Sequence, residues 1–99
     1  MRDRAFIEFL TTAYRGSRRS RPMPPKVAAD TLSRCKRAEQ FLGIDLDGQI
    51  LNIDDAQLKA RIHAAAKKRG TPLSTSYSMT FAARRYREFL TQRVSSRRG

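Results

Sequence analysis

The stretch YSMTFAARRYREFL, residues 77–90, carries apolar side chains at the spacing of an α-helix. They recur three or four positions apart, which places them on one helix face, and they are Met79, Ala82, Tyr86, Phe89 and Leu90. Arginines occupy much of the remaining surface, at Arg84, Arg85, Arg87 and Arg93. Ser74, Thr75 and Ser76 offer caps before the apolar run. The pattern predicts a helix over about residues 76–94, with one buried face and a basic remainder.

The same spacing predicts two helices in the first half of the chain. The first has its apolar stripe at Phe6, Phe9, Leu10 and Ala13, with Asp3 as its N-cap. The second starts at Pro24-Pro25, because proline is tolerated in the first turn of a helix, and ends before Gly43, a suitable left-handed cap. Its predicted buried stripe is Ala28, Leu32, Cys35, Ala38 and Leu42.

A third predicted helix, about residues 54–69, has Asp54 and Asp55 at its start and basic residues at its end, as the helix dipole favours. Its apolar side is Leu58, Ile62, Ala65 and Ala66. Between the second and third helices, residues 43–55 carry four carboxylates and no base, and the Asp47-Gly48 pair indicates a turn. We expect Ile44, Leu46, Ile50 and Ile53 to hold this acidic loop against the core.

These elements predict an all-α fold, since no alternating run of β-branched residues indicates a sheet. The expected architecture is a compact bundle of four helices, or five. At 99 residues the chain is long enough for one domain, which we place at 1–94 with a basic linker at 15–23. Residues 95–99 are predicted to be a basic flexible tail.

Positive charge dominates the composition. Twenty-one Lys and Arg against nine Asp and Glu leave a net charge of +12, and sixteen of the basic residues are Arg. The planar fork of Arg pairs with phosphate through two hydrogen bonds, so this balance indicates a nucleic-acid partner. The basic residues form five clusters, at 15–26, 34–37, 67–69, 84–87 and 93–98. One such cluster is usually a solvated surface, but five are difficult to explain by solubility alone.

The remaining composition argues against other classes. Cys35 is the only cysteine, which excludes an intrachain disulfide and favours an intracellular, cytoplasmic protein. No stretch resembles a signal peptide, and no apolar run approaches the length of a membrane span. We therefore expect no membrane association.

Catalytic and metal sites find little support in the sequence. An EF-hand loop counted from Asp45 requires glycine at position 50, where the chain has Ile50, so a solvated acidic turn is the better interpretation. One cysteine and one histidine are too few for a typical zinc site. We read Cys35 as a core residue and His63 as a surface or boundary residue. No enzymatic activity, cofactor or metal is predicted.

The candidate DNA contacts come from the basic linker and the basic helix faces. They are Arg15, Arg18, Arg19, Arg21, Lys26, Arg34, Lys36, Arg37, Arg84 and Arg87. Single-strand binding usually needs exposed aromatic residues on which bases stack, and only Tyr14 and Tyr77 are candidates for such exposure. The sequence therefore favours binding to the backbone of duplex DNA.

Three segments resemble the N-terminal core-binding, SAM-like helical domain of tyrosine recombinases and phage-type integrases. They are FIEFL at 6–10, TLSRCKRAEQFLG at 31–43 and YSMTFAARRYREFL at 77–90. The resemblance implies a SAM-like helical domain that grips duplex DNA while a separate domain cuts it. The chain departs from the family at Met23, Pro24 and Pro25, where a Ser-x-x-Thr helix start is common. The nucleophilic tyrosine belongs to the family's catalytic domain, so Tyr14, Tyr77 and Tyr86 receive no such role.

The sequence thus predicts a non-catalytic DNA-binding protein that contacts phosphates through its Arg-rich linker and helix faces. Two alternatives stay open. One is a small helical subunit of a nucleoprotein complex, or an interaction module for an acidic protein partner. The other is RNA binding, which charge alone does not distinguish from DNA binding. A separate catalytic chain is a further candidate partner.

Overall fold

The structure, a computed structural model, describes the backbone of residues 2–13 and 23–98 and the side chains of residues 2–12 and 23–92. Within these ranges it contains five α-helices and no strand: α1 (Asp3–Glu8), α2 (Pro25–Leu42), α3 (Leu46–Gln49), α4 (Asp55–Lys68) and α5 (Leu73–Arg98). The predicted all-α class is confirmed. The count is five because the acidic region adds a short helix. The basic linker at 15–23 lies almost entirely outside the described residues, which resume at Met23.

The first helix continues beyond α1 as a π-helical turn, Phe9–Ala13. Phe6, Phe9 and Leu10 are buried as predicted. Asp3 is not the N-cap: it is the first helical residue, and Arg2 occupies the cap position without a side-chain hydrogen bond. Asp3 still lies where a carboxylate is favourable, beside the positive end of the helix dipole.

The prolines and glycine predicted to bound the second helix do so. Pro24 is the N-cap of α2, Pro25 is its first residue, and Gly43 ends it at φ 66°, a left-handed conformation that glycine adopts without strain. The buried face differs slightly from the prediction. Thr31 is buried as well. Its hydroxyl donates to the Val27 carbonyl at 2.9 Å, so the polar group has a partner inside the protein. Leu32 and Leu42, predicted to be buried, lie half-buried at the core edge.

The acidic region folds onto the core, but Asp47 and Gly48 do not form the predicted turn, since both are helical residues of α3. Side chains satisfy the first amides of this helix: Asp45 accepts from the Asp47 N–H at 3.2 Å, and Glu39 of α2 accepts from the Leu46 N–H at 3.0 Å. A 3₁₀ turn, Ile50–Asn52, follows. As expected, Leu46, Ile50 and Ile53 are buried, with Ile44 packed at the core edge.

The last two helices follow the predicted pattern with shifted ends. Asp54 caps α4 by accepting from the Gln57 N–H at 2.8 Å, and Gly70 adopts φ 70° just after the helix. Helix α5 begins three residues before the predicted start at Ser76 and continues to Arg98, past the predicted end at Val94. Every residue of its predicted stripe is buried. Helix α5 packs against both α2 and α4, which makes it the central element of the bundle.

Four aromatic rings form the centre of the core. Phe6 meets Tyr86 edge-on at 4.9 Å between ring centroids, and Phe89 lies 5.5–5.6 Å from Phe6, Phe9 and Tyr86. These distances are those of favourable aromatic pairs. The cluster joins the first helix of the chain to the last.

Two buried ionisable groups line the inner side of α5. The Tyr86 hydroxyl donates to Asp47 and accepts from the Arg2 N–H at 3.0 Å. The Cys35 thiol, buried as predicted, donates to the Ala82 carbonyl at 3.0 Å. Burial raises the pKa of the Cys35 thiol, aided by the negative charge of Glu39. Burial also raises the pKa of Tyr86, and its hydrogen bond to Asp47 acts in the same direction.

We expect Phe89→Ala to lower the free energy of unfolding by about 3–5 kcal/mol, because the ring is 3 % exposed and contacts three other rings. Phe81→Ala is the matched control, since it truncates a ring on the same helix that is 60 % exposed. Urea unfolding followed by circular dichroism measures both. Equal losses for the two variants would contradict the assignment of the inner face of α5.

The raised pKa of Tyr86 also predicts the direction of alkaline instability. Above pH ~10 the unfolded chain releases the phenolic proton while the folded chain retains it, so the free energy of unfolding should fall as pH rises. Tyr86→Phe should make this decline shallower, by up to about 1.4 kcal/mol per pH unit, even if the variant is less stable at neutral pH. Urea titrations from pH 8 to 11.5 measure the slope. An identical slope in the variant would show that Tyr86 does not titrate differently in the two states.

Candidate nucleic-acid interface

The outer face of α2 presents three of the predicted DNA contacts together. Lys26, Arg34 and Arg37 are exposed, and at 3.6 residues per turn they fall within about 80° of the helix circumference. Asp30 is the acidic residue in the same sector. None of the three basic side chains forms an ion pair with any residue of the described chain. We call them the α2 basic face.

The other predicted contact on this helix has an internal partner. Lys36 is exposed at the side of α2, and its ammonium lies 2.5 Å from the Asp3 carboxylate. This ion pair links α2 to the start of α1. Lys36 therefore differs from the α2 basic face, because a phosphate must compete with Asp3 for it.

The two predicted contacts on α5 are held by Asp55. Arg87 donates to the Asp55 carboxylate and to the Ile53 carbonyl, and its side chain is only 22 % exposed. Arg84 lies 3.5 Å from the same carboxylate. These bonds attach the start of α4 to α5. The structure thus gives Arg84 and Arg87 an internal role, and their contact with DNA stays a prediction.

The basic linker itself falls mainly outside the described residues, including Arg15, Arg18, Arg19 and Arg21. Its two flanks are nevertheless joined, because the Met23 N–H donates to the Leu10 carbonyl at 3.0 Å. Met23 also leads directly into α2. Met23, the last residue of the predicted linker, therefore lies directly before the helix that carries the α2 basic face.

A groove of about 340 Å³ lies between the start of α2 and the first half of α5. We call it the α2–α5 groove; its lining residues are Met23, Val27, Thr31, Arg34, Tyr77, Ser78, Phe81, Ala82 and Arg85. Arg34 belongs both to this groove and to the α2 basic face. The groove therefore continues the basic surface with an apolar one.

Two aromatic rings of the groove are exposed. The sequence named Tyr77 as a candidate for exposure, but not Phe81. Tyr77 is 46 % and Phe81 is 60 % exposed. Phe81 was missed, although the sequence contains the signal: at 3.6 residues per turn it falls opposite Met79 and Tyr86 on α5. An edge-on contact with the His63 ring at 4.9 Å positions Tyr77. The Lys59 ammonium lies 5.5 Å from the same ring.

Sequence reasoning also missed a contact between histidine and serine. His63 Nδ1 forms a hydrogen bond with Ser76 Oγ, joining α4 to α5. This pair resembles a nucleophile and its base, but the Ser76 side chain is fully buried and a substrate has no access to its hydroxyl. His63 itself lies half-buried at the boundary, as predicted. We assign the pair a packing role.

Across the described residues, no three acidic, His or Cys side chains converge as a metal site would require. In the same part of the chain, no helix combines the length and apolarity needed to cross a bilayer. Searches against protein-family models, curated proteins and solved structures find no match to this chain. The candidate interface therefore rests on its own geometry.

The Asp55 contacts predict that Arg87 stabilises the fold. We expect Arg87→Ala to lower the free energy of unfolding by about 1 kcal/mol, which is less than charged hydrogen bonds usually contribute because Asp55 is mostly exposed. Arg34→Ala, which removes an exposed Arg, should leave stability nearly unchanged. Thermal melts of the two variants provide the comparison. If Arg87→Ala has the same melting temperature as the wild type, the contacts of Arg87 with Asp55 and Ile53 contribute no stability.

Proposed function

We propose that this protein binds duplex DNA without catalysing a reaction on it, through contacts between its basic side chains and phosphates. The observation that carries the proposal is the α2 basic face, where Lys26, Arg34 and Arg37 form no ion pair within the described chain. A net charge of +12 supports it, because phosphates relieve the mutual repulsion of so many cations.

The proposed mechanism is electrostatic. Each Lys or Arg that meets a phosphate releases condensed counterions from the DNA, and this release favours binding at low salt. The α2 basic face and the adjoining basic linker supply the first contacts. Arg residues in the linker then bind neighbouring phosphates in a bidentate manner, because the planar guanidinium matches the spacing of two phosphate oxygens. Such contacts position the protein on the duplex without reading its sequence.

The resemblance to the core-binding domain of recombinases agrees with this proposal, and we include a SAM-like fold in the proposal. The support consists of the helix order and the buried stripes of α1, α2 and α5. Under this proposal a separate catalytic chain is a candidate partner. RNA is the competing nucleic acid, since phosphate contacts alone do not separate the two.

A second candidate function is binding to an acidic protein partner. The α2–α5 groove favours it, because Val27, Tyr77 and Phe81 are large apolar side chains left exposed beside arginines. Apolar anchors within a charged rim are typical of protein interfaces. A pull-down with and without nuclease distinguishes this function from nucleic-acid binding.

We predict that the affinity for a blunt duplex falls steeply with salt, with a log–log slope of about −4 to −6 for five or six phosphate contacts. Replacing Lys26, Arg34 and Arg37 by Ala should weaken binding and make the slope less negative by up to about three. The linker variant Arg18→Ala, Arg19→Ala, Arg21→Ala should act similarly. Fluorescence anisotropy across a salt series measures all three.

The matched control removes the same charge elsewhere, by replacing Arg61, Lys67 and Lys68 of α4 with Ala. It should weaken binding less than the α2 variant, because the net charge changes equally but the proposed contact surface is kept. If the two variants bind duplex with the same affinity and slope, the α2 basic face is not the contact surface. The protein-partner function then becomes the better explanation of that face.

A further inference from the structure

We propose that the α2–α5 groove binds unpaired bases, so that the protein engages single-stranded nucleic acid beside the duplex it holds. Bases would stack on Phe81 and Tyr77, and the intervening phosphates would contact Arg34. This inference rests on the proposed function and adds to it a second ligand, the unpaired strand. It also replaces the expectation that the protein lacks a surface for base stacking.

The exposed rings provide the stacking surface. Tyr77 and Phe81 are one helical turn apart on α5, so their side chains lie on the same face. The His63 contact positions one ring, while the Arg85 guanidinium lies 5.6 Å from the centroid of the other. Bases of any sequence stack on such rings, because every base has a π face.

The charges of the groove select an anionic ligand. Its lining contains no carboxylate. Of its two arginines, Arg85 lies 4.0 Å from the Glu88 carboxylate, so Arg34 is the one that supplies the charge for a phosphate. A second groove of about 380 Å³, farther along α5, also contains arginines but is lined by Asp55 and Glu88 as well. Those carboxylates would repel a phosphate. Of these two grooves, the α2–α5 groove has the lining that favours a polyanion.

Single-stranded nucleic acid fits this surface better than an acidic peptide does. A strand alternates flat apolar bases with anionic phosphates, and the groove places aromatic rings next to arginines. The groove also adjoins the α2 basic face through Arg34 and the basic linker through Met23. A strand leaving a bound duplex therefore meets the groove without leaving the basic surface.

Three labelled probes of equal length test the proposal by fluorescence anisotropy: a single strand of thymidines, an abasic strand and a blunt duplex. The abasic strand keeps the phosphates and lacks the bases. We expect the wild type to bind the thymidine strand more tightly than the abasic strand. Phe81→Ala should weaken binding to the thymidine strand about five-fold or more, the effect of losing one base stack, and leave the abasic strand and duplex unchanged.

Two further variants separate stacking from apolarity and from misfolding. Phe81→Leu keeps an apolar side chain without a ring and should behave as Phe81→Ala, while Phe81→Trp should restore binding. Leu73→Ala, which truncates another exposed apolar residue of α5 outside the groove, should bind as the wild type does. Melting curves confirm that each variant is folded.

Equal wild-type affinity for the thymidine and abasic strands would overturn the inference, and salt-dependent duplex binding would then leave the proposed function standing. Loss of thymidine-strand binding in Phe81→Ala but not in Phe81→Leu would overturn stacking. Binding of polyglutamate that depends on Phe81, without binding of any nucleic acid, would overturn both proposals in favour of an acidic protein partner.

Discussion

Phe6 and Phe9 of the first helix meet Tyr86 and Phe89 of the last helix, and this aromatic contact joins parts of the chain at least eighty residues apart. Helix α5 then offers α2 and α4 their common packing surface. The Tyr86 hydroxyl extends the same contact to the acidic region through Asp47. The other elements are arranged around this centre. Helices α2 and α4 flank α5, and the acidic region packs against α5 beside Tyr86.

The distribution of charge follows from that arrangement. Several carboxylates have partners between helices: Asp47 accepts from Tyr86, Asp55 pairs with Arg87 and Arg84, and Asp3 pairs with Lys36. Asp30 is the acidic residue that shares the outer face of α2. The three residues of the α2 basic face form no ion pair within the described chain, and the groove beside them places Arg34 next to exposed rings.

Much of the geometry of the candidate interface was predictable from the sequence, with two exceptions. The exposure of Lys26, Arg34 and Arg37 follows from their position opposite the apolar stripe of α2. Arg87 falls off the stripe of α5 in the same way, yet Asp55 engages it from a helix that no local pattern places nearby. Phe81 received no prediction from the sequence. Its position opposite the apolar stripe indicates exposure, whereas a phenylalanine is more often buried, and only the open groove shows that α2 leaves it uncovered.

The sequence by itself determined the helical class, most of the buried stripes and the helix boundaries at Pro24, Gly43, Asp54 and Gly70. These features depend on local physics: the 3.6-residue repeat, the missing amide of proline, the left-handed freedom of glycine and the capping of free amides. Only the tertiary structure decided which arginines have internal partners, that Ser76 meets His63, and that Tyr77 and Phe81 share a groove with Arg34. Each of these depends on a contact between helices distant in sequence, and periodicity along one helix carries no information about what packs against it.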